Sequence, residues 1–270
     1  MNYQWYPGHM TKAKRMMEEN IKLIDLVIEI VDARIPISSR NPDIDSLAVN
    51  KARIILLNKS DLADDKITNQ WINYFNENNI YCLKLNSRNN SGIKQVNGLI
   101  MTACADKIER NKQRAILNRP IRAMVVGKAS AKTGNKPGVT KGKQWIKLNK
   151  NVELLDTPGI LWPKFDNQEV GKRLAMIGSM NDEILNVEEL AIDTIKYIYS
   201  EYSDNVIERY GLDKEKTAAS YDENAINPDN SVALYIMEQA AVKRGCIMKG
   251  NNIDYEKISN IILDDFRSGR

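Results

Sequence analysis

Short apolar runs alternate with longer segments of helical spacing over the first 160 or so residues. Each apolar run spans four to six residues, the length of a buried strand, and most end on polar residues or glycine. Alternating strands and helices predict an α/β fold with a mostly parallel sheet. The predicted strands are 26–31, 54–57, 80–85, 121–126, 144–148 and 152–155, and the predicted helices are 10–22, 65–78 and 92–117.

After Lys164 the apolar positions follow helical spacing alone. Three glycines stand near predicted helix ends, as C-terminal caps do: Gly211, Gly245 and Gly250. The predicted helices are 166–178, 187–200, 204–210, 231–244 and 254–266. We therefore expect two domains, an α/β domain at 1–178 and a smaller all-helical C-terminal domain at 179–270.

Length and composition narrow the class of protein. The 270 residues, 43% of them hydrophobic, fit a folded globular protein of this organisation. No apolar run reaches the roughly 18 residues of a membrane span, and the N-terminal residues lack the pattern of a signal peptide. Cys82, Cys104 and Cys246 form no C-x-x-C pair and no metal-ligand spacing with His9, the only histidine. These features indicate a reduced, cytoplasmic protein.

Charge is distributed unevenly along the chain. Residues 1–180 contain 29 Lys+Arg and 17 Asp+Glu, whereas residues 181–270 contain 10 and 18. For a single basic cluster a solvated surface explains the charge equally well, but two clusters in one domain favour an RNA partner. The first basic cluster is Lys107, Arg110, Lys112, Arg114, Arg119 and Arg122, and the second is Lys128, Lys132, Lys136, Lys141, Lys143, Lys147 and Lys150.

The tetrapeptide Asn58-Lys59-Ser60-Asp61 directly follows the predicted strand 54–57, so it lies where a strand ends. The carboxylate of Asp61 can accept two hydrogen bonds from the N1–H and N2–H₂ groups of guanine, and adenine offers no such pair of donors. Asn58 can bond the other side of the base, and the stem of Lys59 can lie over its face. This N-K-x-D element predicts guanine recognition.

A second element, Asp156-Thr157-Pro158-Gly159, follows the predicted strand 152–155. An Asp at a strand end can hold a water of a Mg²⁺ ion, and the amide of the Gly can bond a γ-phosphate. Thr140 lies upstream in Pro137-Gly138-Val139-Thr140, where its hydroxyl can ligate Mg²⁺. An ordinary Pro-Gly turn explains that run as well.

Asn86-Ser87-Arg88 follows the predicted strand 80–85. It suits a loop whose backbone amide meets O6 of guanine, and a plain turn explains it equally well. Asn58, Asn86, Gly127 and Asp156 all follow predicted strands. Because ligands of parallel sheets bind at the carboxyl ends of the strands, these positions are expected to meet at one pocket.

The guanine element precedes the Asp156 element by about a hundred residues, whereas in most GTPases it comes late. In this order the chain resembles the circularly permuted GTPases that act in ribosome biogenesis. The resemblance covers nearly the whole chain and extends to four further stretches: Trp5–Met10, Asp32–Pro36, Ser39–Pro42 and Leu155–Pro163. It implies a GTPase-type sheet of permuted order followed by a helical C-terminal domain.

The resemblance also implies the ligands and partners. GTP or GDP would bind through Asn58, Lys59, Ser60, Asp61, Asn86, Ser87 and Gly159, with Mg²⁺ held by Thr140 and by Asp156, partly through water. The partner would be the large ribosomal subunit with its rRNA. We expect a monomer with no membrane or DNA partner. Because the helical domain follows soon after Gly159, a nucleotide-dependent shift would pass into it.

Catalysis needs a group other than the usual glutamine. Ile160 stands where many GTPases place a water-orienting Gln, and an isoleucine offers no hydrogen bond to water. In the family, the histidine that matches His9 is proposed for this role, and an imidazole can orient water or accept its proton. Alternatively His9, in a Pro-Gly-His turn, anchors structure or RNA.

One expected part is missing. The family places a phosphate-binding loop, G-x-x-x-x-G-K-[ST], and its helix directly after the strand that ends at Gly127. Here Gly127 is followed at once by residues 128–134, which resemble the segment after that helix, so roughly fifteen residues are absent. Either the sequence omits a segment that the protein has, or the protein lacks it.

These alternatives leave two functions open. The first is a GTP-hydrolysing assembly factor for the large (50S) ribosomal subunit. The second is a non-hydrolysing ribosome- or rRNA-binding protein that has lost the use of nucleotide. The flanking motifs are well formed, whereas a decaying site would have blurred several at once, so we favour omission of the segment and hence the first function.

Overall fold

The computed structural model describes Arg15 and residues 17–116, 119–127, 145–155, 167–180 and 186–270. These residues form two compact units, one ending before Asn167 and one beginning there. Within the described residues, no helix combines the length and the apolar character needed to cross a membrane.

The first unit is built on a six-stranded sheet with the order β3-β2-β1-β4-β6-β5. Neighbouring strands are parallel except β5 and β6, which are antiparallel. The prediction of a mostly parallel α/β sheet is therefore confirmed. The strands are β1 (Leu26–Asp32), β2 (Ala52–Asn58), β3 (Tyr81–Lys84), β4 (Ile121–Gly127), β5 (Trp145–Asn149) and β6 (Val152–Leu155).

The strands of the sheet centre are buried on both faces, as parallel strands usually are. In β1, Leu26 and Ile28 belong to the core on one face, while Val27 and Val31 belong to the cores on the other. This two-sided burial explains why β1 is apolar apart from Glu29 and its last residue, Asp32.

Besides the helical residues Arg15 and 17–20, the first unit has α1 (Asp43–Leu47), α2 (Asp65–Glu77), α3 (Ile93–Ala103) and α4 (Ala105–Gln113) among its described residues. Helix α1 was not predicted, because five residues are too few to show helical periodicity. The single helix predicted at 92–117 is in fact α3 and α4, separated at Cys104. Ile100, Cys104 and Ile108, on both helices and at the break, belong to the same core cluster.

The second unit is all-helical in its described residues, as predicted. Its helices are α5 (Gln168–Met176), α6 (Val187–Tyr210), α7 (Lys214–Ala218), α8 (Ser231–Arg244) and α9 (Tyr255–Ser268). The helices predicted at 187–200 and 204–210 join as α6, which has non-helical backbone angles at Tyr202.

Two of the three predicted glycine caps end helices. Gly211 and Gly245 follow α6 and α8 with left-handed φ angles of 59° and 65°. Gly250 instead lies in a tight loop closed by the bridge between Ile247 and Ile253, so the prediction of a helix cap there is wrong.

Helix α5 packs with the C-terminal helices. Arg267 on α9 donates hydrogen bonds to the carbonyl oxygens of Ala175 and Met176 at 2.8 and 3.1 Å, and Lys172 pairs with Asp193 on α6 at 3.0 Å. The domain bounds 1–178 and 179–270 stay a prediction, and we propose that the helical domain begins with α5.

Candidate functional site: two loops at the carboxyl edge of the sheet

The strand order creates a switch point between β1 and β4. From β1 the chain moves outward to β2 and β3, and it then returns to the centre for β4, beyond which lie β6 and β5. Ligands of open α/β sheets bind outside the carboxyl ends of the strands at such a point. Asp32, Asn58 and Gly127 end β1, β2 and β4 at this edge.

The first loop, residues 58–61, holds the guanine element. Asn58 is the buried last residue of β2, and Lys59 has a left-handed backbone with φ of 57°. A 3₁₀ turn begins at Ser60 and carries Asp61 to the surface. Asp61 makes no hydrogen bond or ion pair with any residue that the structure describes. Its carboxylate is therefore available to a ligand.

The second loop, residues 86–91, is hydrogen-bonded to the first. The backbone N–H and the hydroxyl of Ser60 both donate to the carbonyl oxygen of Leu85, at 3.2 and 3.1 Å. The N–H of Ser87 donates to Oδ1 of Asn58 at 3.2 Å. The second loop is closed on itself, because the N–H of Asn86 donates to the carbonyl of Ser91 at 3.0 Å.

These hydrogen bonds decide how Asn58 can meet a base. Its Oδ1 accepts from Ser87, so its Nδ2, a donor, remains for an acceptor such as N7 of guanine. The N–H of Arg88 donates to Oδ1 of Asn86 at 2.9 Å. The backbone N–H groups of Ser87 and Arg88 thus both donate to side chains of the loops, and the amide contact to guanine O6 stays a prediction.

A carboxylate that was not predicted as a site residue, Asp32, contacts the first loop. Its Oδ2 lies 3.1 Å from Nζ of Lys59. The same carboxylate accepts hydrogen bonds from Nε and Nη2 of Arg34 at 2.9 and 2.8 Å. Burial acts to raise the pKa of Asp32, but Arg34 and then Lys59 outweigh it and hold the pKa below its usual value. The sequence signal was Asp32-Ala33-Arg34 at a strand end.

Gly127 ends β4 with φ of 120°, a conformation that side chains rarely allow. A Cβ there would overlap the carbonyl oxygen of Ile30 in the neighbouring strand. Strand β4 thus ends on a residue whose conformation favours glycine, at the position where the expected phosphate loop begins. Four predicted site residues lie outside the described residues: His9, Thr140, Asp156 and Gly159.

Part of one sheet face is poorly covered within the described structure. On the face that α3 and α4 cover, Ile28, Ala123 and Val152 are buried, but Ile30, Val125 and Leu154 are only partly buried. Ile146 pairs with Leu154 across β5 and β6, so it shares this face, and it is 47% exposed. We call Ile30, Val125, Leu154 and Ile146 the open strip.

The first basic cluster is partly neutralised by ion pairs. The buried carboxylate of Asp25 lies 3.4 Å from both Lys107 and Arg119. Two further acidic residues, Glu109 and Glu153, pair with Lys112 and Arg122 at 3.8 and 3.6 Å. Of the second cluster, the structure describes Lys147 and Lys150, which are exposed and pair with no described residue. Within the described residues, Arg110 and Arg114 of the first cluster and Lys147 and Lys150 of the second therefore have no acidic partner.

A mostly parallel sheet whose first strands lead to an N-K-x-D loop, and whose central strand β4 comes later in the chain, defines a circularly permuted GTPase. A family profile described as "50S ribosome-binding GTPase" matches residues 119–221. Ribosome biogenesis GTPase A of Bacillus cereus is 42% identical to the chain, with all of this chain and 92% of the relative aligned. The chain therefore belongs to the ribosome biogenesis GTPase A family.

A second relative and two solved structures agree with this family assignment. Ribosome biogenesis GTPase A of Priestia megaterium is 41% identical, with 100% of this chain and 94% of the relative covered. Two solved structures of YlqF from Thermotoga maritima share the fold. The GNP-bound form has a TM-score of 0.56 at 24% identity, covering 96% of this chain and 94% of that one. The GDP-bound form has a TM-score of 0.59 at 23% identity, covering 94% and 95%.

The alignment with the Bacillus cereus relative also measures what this chain lacks. It extends over 285 positions, while this chain has 270 residues, so at least 15 aligned positions have no residue here. This number agrees with the roughly fifteen residues expected of the absent phosphate loop and the start of its helix.

Proposed function

We propose that the protein binds GTP and GDP through Asn58, Lys59, Ser60, Asp61, Asn86 and Ser87, hydrolyses GTP, and acts in assembly of the large (50S) ribosomal subunit. The observation that carries the proposal is the hydrogen bond from Ser87 to Asn58 at 3.2 Å. It holds the Asn58 amide in the orientation that guanine requires, beside the exposed carboxylate of Asp61. Membership of a GTPase family supports hydrolysis, and the names of the relatives support ribosome assembly.

Isothermal titration of the full chain with GDP tests guanine binding. The wild-type protein should bind GDP and not ADP, because only guanine offers two donors to Asp61. Asp61→Asn should lose GDP binding and gain binding of xanthosine diphosphate, whose C2 carbonyl accepts from the new amide. Asp65→Asn, which alters an exposed carboxylate on α2, is the matched control and should bind GDP normally. An absence of GDP binding by the wild-type chain contradicts the proposal.

We propose that residues outside the described ranges bind the Mg²⁺ ion and the γ-phosphate of the nucleotide. Thr140 and Asp156 would hold Mg²⁺, since hydroxyl, carboxylate and water oxygens are the ligands it prefers. When bound, Mg²⁺ neutralises charge on the β- and γ-phosphate oxygens. The amide of Gly159 would bond the γ-phosphate, and the short chain connection from there to α5 would transmit the nucleotide state to the helical domain.

His9 would orient the attacking water, because Ile160 offers no hydrogen bond. His9→Ala is expected to slow ribosome-stimulated GTP turnover without changing the Kd for GDP. Turnover equal to that of the wild-type protein would show that His9 has no catalytic role.

The partner in this proposal is the large subunit and its rRNA, approached by a monomeric, cytoplasmic protein. Family membership and the positive balance of residues 1–180 support it. Co-sedimentation with purified ribosomal subunits in the presence of a non-hydrolysable GTP analogue tests it. We expect the protein in the large-subunit fraction and not in the small-subunit fraction.

The alternative is a ribosome- or rRNA-binding protein that does not hydrolyse GTP. The missing phosphate loop is the observation that favours it. Two observations oppose it, namely the well-formed guanine loops and the open strip, which a helix following β4 would cover. Measuring the intact mass of the protein distinguishes the two functions. A mass of 30.7 kDa supports the alternative, and a mass larger by that of about fifteen residues supports an omitted segment.

A further inference from the structure

We propose that Asp32 is a positioning residue for guanine-nucleotide binding, because it holds the side chain of Lys59 in place before the nucleotide arrives. The inference rests on the proposed function, since it concerns how the first loop binds its base. Asp32 itself need not touch the nucleotide. It would act through Lys59, whose stem is expected to lie over the face of guanine.

The sheet brings the two residues together. Asp32 and Asn58 are register partners at the ends of the parallel strands β1 and β2, so Lys59 emerges beside Asp32. The Lys59 ammonium lies 3.1 Å from Oδ2 of Asp32, whose side chain is only 8% exposed. A hydrogen bond of 2.8 Å from the N–H of Ala33 to the carbonyl of Asn58 fixes the two strand ends together.

Arg34 prevents the carboxylate of Asp32 from turning away. Its guanidinium donates to both carboxylate oxygens, at 2.9 Å to Oδ1 and 2.8 Å to Oδ2, and its backbone N–H donates to Oδ1 at 3.1 Å. A planar guanidinium that donates to both oxygens fixes the orientation of the carboxylate plane. Lys59 is therefore held by an acceptor that is itself immobile.

The left-handed backbone of Lys59 supplies the second constraint. Its φ of 57° and ψ of 35° are uncommon for a residue other than glycine, and they set the direction in which the side chain leaves the loop. A lysine stem has many rotamers, and immobilising it only on binding would weaken affinity by about three- to tenfold. Because the ion pair with Asp32 already restricts the Lys59 side chain in the free protein, little further conformational entropy is lost on binding.

A competing effect has the opposite sign. The carboxylate of Asp32 repels an anionic nucleotide, so its removal would by itself tighten binding. This effect is small, because the two cations Arg34 and Lys59 already compensate the single negative charge of Asp32. Loss of positioning should therefore dominate when Asp32 is replaced.

The test is a double-mutant cycle measured by calorimetric titration of the full chain with GDP. Asp32→Asn should raise the Kd about three- to tenfold. Lys59→Met should also raise the Kd, and Asp32→Asn should add no further weakening in that background. Asp25→Asn is the matched control. Asp25 is a similarly buried carboxylate just before the other end of β1, paired with Lys107 and Arg119, and its replacement should leave the Kd unchanged.

The outcomes separate the two proposals. If the wild-type chain binds no GDP, the proposed function fails and this inference fails with it. If the wild-type chain binds GDP and Asp32→Asn binds it equally well, or weakens binding as much in the Lys59→Met background, only this inference is overturned. Should Asp32→Asn fail to fold, Asp32→Glu keeps the charge for Arg34 but displaces the carboxylate. It should bind GDP more weakly than wild type, and an unchanged Kd would overturn the inference.

Discussion

Single residues with left-handed backbone mark the edge where the two loops lie. Lys59 and Gly127 both have positive φ, at 57° and 120°, and each follows or ends a strand of the sheet. Lys59 tolerates its conformation as a lone residue in a turn, whereas Gly127 needs the absence of a side chain. Both conformations cost some stability, and strained backbone of this kind is common at functional sites.

Gly127→Ala is expected to destabilise the protein by about 1–3 kcal/mol, because the new Cβ would overlap the carbonyl oxygen of Ile30 at a φ that alanine rarely adopts. Urea unfolding followed by circular dichroism measures the change. Gly98→Ala in α3 is the control, because a Cβ at this position would contact nothing within 4 Å. That change should stabilise the protein by up to about 1 kcal/mol. Equal stability of both variants would contradict the role given to Gly127.

Asp32 should also contribute to acid sensitivity. Its pKa in the folded protein lies below 3.8, the ordinary value, because Arg34 and Lys59 outweigh the effect of burial. The unfolded chain therefore binds the proton more readily, and the stabilisation is complete above about pH 5 and is lost as the pH falls through the folded pKa. The free energy of unfolding of the wild-type protein should fall more steeply below about pH 4 than that of Asp32→Asn. Parallel acid profiles would count against this role.

At the scale of elements, apolar periodicity located the strands and the long helices, since each buries one or two faces. It did not locate the short helix α1, which buries Ile44 and is also held by an ion-pair network. Glu29, in the middle of β1, is buried and accepts hydrogen bonds from Arg40 at 2.9 and 3.2 Å. Arg53 reaches the same carboxylate at 2.6 Å, and Asp45 on α1 accepts from both arginines at 2.8 Å. This network attaches α1 to the sheet.

Glu29→Gln should destabilise the protein by about 3–5 kcal/mol, because it leaves two largely buried arginines with only Asp45 as a charged partner in the network. Thermal and urea unfolding measure this change. Asp45→Asn removes the exposed member, whose side chain is 57% accessible, and should cost less than about 1 kcal/mol. A small effect of Glu29→Gln would show that the network is not a source of stability.

At the scale of the whole molecule, charge is distributed unevenly, with a positive balance in residues 1–180 and a negative balance in residues 181–270. Ion pairs with Asp25, Glu109 and Glu153 reduce the charge of the first basic cluster. Lys147 and Lys150 of the second cluster keep theirs within the described structure. If the protein binds rRNA as proposed, Lys147 and Lys150 should therefore contribute to that binding.

Binding to the large subunit should weaken as salt increases, because lysines that bind phosphates release counterions from the RNA. Changing Lys147 and Lys150 together to Gln should reduce the slope of log K against log salt by about one for each phosphate that these lysines neutralise. Lys214 lies in the acidic part of the chain, residues 181–270, and pairs with Asp204. Lys214→Gln should therefore leave the slope unchanged. Sedimentation at several salt concentrations measures both. Identical slopes for all three proteins would exclude this RNA-binding surface.

The sequence by itself determined the class of fold, the guanine element and the permuted order, because periodic burial and short contiguous motifs are local properties of the chain. The resemblance of its motifs to the family also indicated the missing phosphate loop. Only the tertiary structure decided that Ser87 orients Asn58, that Asp32 and Arg34 hold Lys59, and that Asp25 neutralises part of the first basic cluster. These interactions join residues on different strands and loops, and only the order and register of the sheet bring those residues together.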